Sequence, residues 1–104
     1  MKLLDLSRPM AVLQELGREF PMLPAPHIDL NDIYPSQIRL AFHKSLGDFE
    51  AWREALSIDP AAVRQTTQSG DMTLVLHASA TRGDVLIELI AYGPNPAMLL
   101  QAVA

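Results

Sequence analysis

The chain has 104 residues, a net charge of −4 and a pI near 5.1. That length makes one domain, large enough for a real core, and a composition half apolar and one-fifth charged belongs to a folded chain. The acidic balance, with basic residues scattered, leaves no electrostatic footprint for nucleic acid, and the absence of cysteine excludes disulfides, thiol nucleophiles and Cys-ligated metals.

The apolar runs, such as the terminal MLLQAVA, are far too short to span a bilayer. The opening MKLLDLSRPM is interrupted by Asp5, Arg8 and Pro9 and lacks the continuous apolar core of a signal peptide. Arg outnumbers Lys six to two, and Ala and Pro are plentiful. This bias is that of a GC-rich bacterial genome, and the cytoplasm is the default location.

In chain order, the first element expected is a helix over about Arg8 to Phe20. Ser7 suits its N-cap and Pro9 its first turn, where a missing N–H costs nothing. Met10, Val12, Leu13, Leu16, Gly17 and Phe20 form its apolar stripe, with Glu15, Arg18 and Glu19 opposite. Pro21 stops it, and PMLPAP follows as an extended connector. His27 to Leu30 is a short strand candidate. Gln37 to His43 is a half-buried strand, with Ile38, Leu40 and Phe42 on one face and Arg39, Ala41 and His43 on the other. A second helix is expected over Ser45 to Ile58. Ser45 and Asp48 imitate a capping box, and Phe49, Trp52, Ala55 and Leu56 face inward. Glu50, Arg53 and Glu54 are expected to face water.

Three strands come next, VRQTTQ, MTLVLHAS and VLIELIAY, joined by Ser69-Gly70 and Arg82-Gly83. Both joints read as two-residue hairpin loops with glycine second, compatible with type I′ turns. Asn95 and Pro96 then open a short C-terminal helix, marginal unless it docks. The chain closes on LLQAVA without a polar end, as a truncated chain or a docking tail would. The expectation is a single α+β domain over residues 1–104. It has a mainly antiparallel sheet of about five strands, in the order α-β-β-α-β-β-β, with the helices packed on one face.

No motif announces chemistry. There is no GxSxG, GxGxxG or phosphate loop. His27, His43 and His77 all fall in expected strands, and with Asp29 they would suit zinc if they converged. No pair has ligand spacing, so three independent polar positions is the favoured reading. Glu88, set among apolar residues, could serve as an acid of raised pKa, as a solvent-facing residue or as the partner of Arg64 or Arg39. Arg82-Gly83-Asp84 spells the tripeptide of integrin ligands but reads here as a turn. Trp52 on the helix face reads as core.

The best functional signal is a surface. The last two strands are apolar on both faces. One face packs under the helices; the other would present Val75, Leu86, Ile90 and Tyr92 as a strip rimmed by Arg64, His77 and Glu88. The terminal helix, the Leu3-Leu4-Leu6 segment or a second molecule would cover it. The leading expectation is a non-catalytic regulatory, adaptor or accessory protein that associates with protein, most simply as a homodimer through this face or an edge strand. The interface residues would be Val75, Leu86, Ile90, Tyr92, His77 and Glu88, with no cofactor or metal, and no nucleic acid or membrane partner. The competing expectation is a small-ligand binder or small enzyme with a pocket between sheet and helix, using His43, His77 and Glu88.

Overall fold

The strand with the longest aliphatic run takes the centre of the sheet. In the computed structural model, which describes residues 1–97, the helices are α1 (Ser7–Glu19) and α2 (Leu46–Ala55). The strands are β1 (His27–Asp29), β2 (Gln37–Phe42), β3 (Arg64–Gln68), β4 (Thr73–Arg82) and β5 (Val85–Pro94). They form one sheet in the order β1-β2-β5-β4-β3. β5 lies between β2 and β4, where both of its faces can be covered. Val85, Ile87, Leu89 and Ala91 are fully buried on one face and Ile90 on the other.

The sheet is mainly antiparallel, as expected, but it is not purely so, because one central joint is parallel. β1/β2, β3/β4 and β4/β5 are antiparallel, but β2 and β5 run parallel, with Ile38 beside Ile87 and Leu40 beside Leu89. A strand buried on both faces reads as a continuous apolar run, as central parallel-paired strands do.

α1 and α2 lie on one face. The core under them joins Val12 and Leu16 of α1 and Phe49 and Trp52 of α2 to Ile38, Leu40, Phe42, Ile87 and Leu89. Each large side chain buried there contributes roughly 1.5–3 kcal/mol over leaving it in water. Phe42 meets Phe49 edge-on at 6.2 Å and Trp52 at a tilt. The Trp52 indole N–H donates to the Pro24 carbonyl at 2.7 Å, which fastens the proline-rich connector to α2.

Several helix ends differ from expectation. Leu3–Leu6 forms a 3-10 turn that runs straight into α1, so Ser7 is helical rather than the N-cap. Ser45 does cap α2, accepting from the Gly47 amide at 3.0 Å. α2 stops earlier than expected because Ser57 takes a left-handed conformation with φ of 57°. The Ser57 amide bonds the Glu54 carbonyl and the Ile58 amide the Arg53 carbonyl, the paired closure of a Schellman motif. Arg53 is buried rather than solvated. It donates to the Ile58 carbonyl and to Glu50 Oε1, so one side chain ties together the helix end and the chain that leaves it.

Both hairpin joints also differ. Gln68 pairs with Thr73, so the first loop is the longer run from Ser69 to Met72, and Ser69, Gly70 and Asp71 all have positive φ. The second loop is Gly83-Asp84, with positive φ at Gly83 alone, the pattern of a type II′ turn. Asp84 accepts from Arg8 at 3.0 Å, and Arg82 donates to Glu19 at 2.7 Å. Both charges of the Arg-Gly-Asp tripeptide therefore clamp this hairpin to α1. The expected terminal helix lies outside the described residues, apart from its entry, where Asn95 Oδ1 accepts from the Ala97 amide.

Candidate functional site

The face away from the helices is ordered by register into rows. Across the middle lie His27, Ala41, Ile90, His77 and Arg64, one from each strand. Asp29, Arg39, Glu88 and Ser79 form the next row, and Tyr92, Val75 and Thr66 the row on the other side. All six residues expected at an interface share this face: Val75, Leu86, Ile90, Tyr92, His77 and Glu88.

Their exposure differs from expectation. Val75 and Ile90 are 4% and 8% exposed, and with Ala41 they make a second small core on which Tyr92 packs. The His43 ring stacks on the Tyr92 ring at 4.8 Å and nearly parallel. Leu86 is the only large apolar member of the strip that stays open, at 37%. Most of the strip is thus a small satellite core and not an open apolar patch. Leu3 and Leu4, considered as a cover for it, are themselves exposed beside α1.

The polar members are engaged as well. Glu88 Oε1 pairs with Arg39 at 3.3 Å, and its Oε2 accepts from the Gln37 side-chain amide at 2.5 Å. This is the cross-strand ion pair among the three roles weighed for Glu88, and it engages both oxygens. His77 Nε2 lies 3.1 Å from Thr66 Oγ1. Partial burial holds the imidazole below its ordinary pKa, and the Arg64 guanidinium beside it acts in the same direction. Both effects favour the neutral ring.

The histidines do not converge. His27 and His77 stand at opposite sides of a row with β2 and β5 between them, about 14 Å at ordinary strand spacing. His43 sits beyond Ala41, about 13 Å along β2 from Arg39 and hence from the Glu88 row. The proposed combination of His43, His77 and Glu88 is not assembled, and among the described residues no three potential ligands group around a metal position. The pairing of Thr66 with His77 resembles a nucleophile with its base, but it lies at an exposed strand, and among the described residues no carboxylate hydrogen-bonds the ring to orient it.

Two of the concavities among the described residues are roomy enough to consider. A shallow groove of about 300 Å³ on the open face is lined by Arg64, His77, Ser79, Leu86 and Glu88. On the helix side a cleft of about 240 Å³ runs between α1, the connector and β1, lined by apolar residues that include Leu13, Phe20, Leu23, Ile28 and Trp52. Neither approaches the middle of the usual range for small-molecule sites, roughly 300–1,000 Å³.

β3 is the feature of this face that no expectation singled out. All five of its residues are exposed, including Gln65 and Thr67, which point to the helix side, so neither helix covers it. It forms one margin of the sheet, and among the described residues its outer backbone groups have no strand partner. Edges of this kind are usually blunted by Lys, Pro, a bulge or a covering element. β3 carries only Arg64, at its start. The opposite margin, β1, is only three residues long. The signal in the sequence was RQTTQ itself, polar on both faces, which reads as a strand with nothing packed on either side. Among the described residues no helix is long and apolar enough to cross a membrane. Comparison with protein-family models, with curated proteins and with solved structures finds no match for this chain.

Proposed function

We propose that this chain is a non-catalytic protein-association module, and that it receives an extended segment of a protein along the free edge of β3. The observation that carries the reading is the full exposure of β3 at an unblunted sheet margin. Strand addition draws its affinity from main-chain hydrogen bonds and its selectivity from side-chain pockets beside the edge. The groove bounded by Arg64, His77, Leu86 and Glu88 lies next to β3 and would supply such a pocket. Burial of Val75 and Ile90 supports an interface on the β3 side of the open face rather than at its middle, with Leu86, His77 and Glu88 at its border.

The test is position-specific photo-crosslinking in the producing cell. A benzophenone amino acid at Gln65 or Thr67 should yield discrete protein adducts that the same group at exposed Gln14 on α1 does not. Backbone amides of Arg64–Gln68 should then exchange more slowly once the purified partner is added. Equal labelling at all three positions, or unchanged exchange, would remove the reading.

A further inference from the structure

We infer that the strand taken up at this edge is β3 of a second copy, antiparallel and centred on Thr66. The inference rests on the preceding reading that the β3 edge is an acceptor. It adds the identity of the partner and the register.

A two-fold axis through Thr66, perpendicular to the sheet, sets Thr66 opposite Thr66, Gln65 opposite Thr67 and Arg64 opposite Gln68. It is the register in which the whole of β3, Arg64–Gln68, finds a partner. The one charge of the strand then faces a neutral amide, to which a guanidinium can donate. A register that set Arg64 against Arg64 would bring like charges together and leave most of the strand unpaired, and directly opposed like charges are unfavourable in a sheet. Hydroxyl side chains facing each other, as at Thr66, are among the favourable cross-strand pairs.

The geometry of the rest of the domain permits it. Residues directly opposite in an antiparallel pair lie on the same face, so Thr66 and its copy share the open face with Val75 and His77. The helices of both copies fall on the other face. They lie over β2 and β5, away from β3, whose helix-side residues Gln65 and Thr67 are exposed, so among the described residues nothing stands in the way of the second copy. The product is a continuous sheet with five strands from each copy, and the grooves lined by Arg64, His77 and Leu86 come side by side across the joint. The contact is small, so its dissociation constant should be weak, on the order of 100 µM.

The absence of cysteine makes the register directly readable. In this register the β-carbons at position 66 of the two copies are about 4.5–5.5 Å apart, a spacing a disulfide can close. Thr66→Cys should therefore cross-link to itself under mild oxidation at about 200 µM, at least about tenfold faster than Gln14→Cys on α1. Arg64→Cys alone should not, because position 64 and its copy lie about 13 Å apart, but a mixture of Arg64→Cys and Gln68→Cys should give the mixed disulfide. That mixture leaves Thr66 and its bond to His77 intact. By sedimentation, Thr66→Lys should weaken wild-type self-association at least about fivefold. Thr66→Cys linking no faster than the α1 control, or Arg64→Cys linking to itself as readily, would overturn the register. A wild-type protein still monomeric near 1 mM would overturn self-pairing altogether. If self-pairing fails while Gln65 and Thr67 still form adducts with another protein, the acceptor reading survives; if those adducts are also missing, both fall.

Discussion

Replacing Ile90 with alanine separates a satellite core from an interface. Ile90 is 8% exposed, stands between Ala41 and His77 in its row, and packs with Val75 and Tyr92. Ile90→Ala removes three carbons, worth about 2.4 kcal/mol at roughly 0.8 kcal/mol for each buried methylene. The cavity left behind adds little, because Ala41 is small and Tyr92, only partly buried, can lean inward. The expected loss is therefore about 2–3 kcal/mol, the lower part of the range for such truncations. For a domain of this size it corresponds to roughly 10–20 °C in Tm. The assay is urea unfolding followed by circular dichroism at about 2 µM, well below the dimer concentration range expected for so small a contact. Leu86→Ala, on the same face but 37% exposed, is the control and should cost less than about 1 kcal/mol. An Ile90→Ala protein within about 0.5 kcal/mol of wild type at this dilution, yet unable to self-associate when concentrated, would refute the reasoning. The middle of the open face would then be an intermolecular contact.

Two further outcomes are expected. Ser57→Gly should stabilise the protein by about 0.5–1 kcal/mol, because a non-glycine residue held at φ of 57° carries left-handed strain at the α2 C-terminus; a lower urea midpoint would contradict the closure described for this helix. The depressed pKa of His77 also has a pH signature. The folded state favours the neutral ring, so its contribution to stability is complete above about pH 6.5, the unfolded value, and is lost as pH falls through the lower folded value. Burial is the main cause. Arg64 and Arg39 act with it and Glu88 against it. His77→Gln should flatten the acid side of the profile of Tm against pH, and an unchanged slope would show that His77 is not the group responsible.

Local chemistry carried most of the elements. Helical spacing placed α1 and α2, strict alternation placed β2, and the apolar runs placed β4 and β5. Local pattern stops short where the outcome depends on neighbours far along the chain. Nothing within β2 specifies that its partner is β5, dozens of residues later and parallel. That choice follows from β5 being apolar on both faces and thus most stable between two strands. Arg53 looked like one more charge on a solvated helix face until the chain folded back and placed the Ile58 carbonyl within its reach.

The candidate site divides the same way. From alternation alone, Val75, His77, Leu86, Glu88, Ile90 and Tyr92 were placed on one face, and the structure puts them there. Whether that face was open or closed depended on cross-strand register. Register brings Tyr92 beside Val75 and Ala41 beside Ile90, where their side chains pack together. The availability of β3 was likewise invisible locally, since a strand becomes an edge only when the order of the whole sheet is known. The sequence by itself determined which residues form strands and helices and which share a face, because those depend on period and propensity. The tertiary structure alone decided which strands are neighbours, which face is sealed and which edge is free, because these depend on contacts between segments that local pattern does not encode.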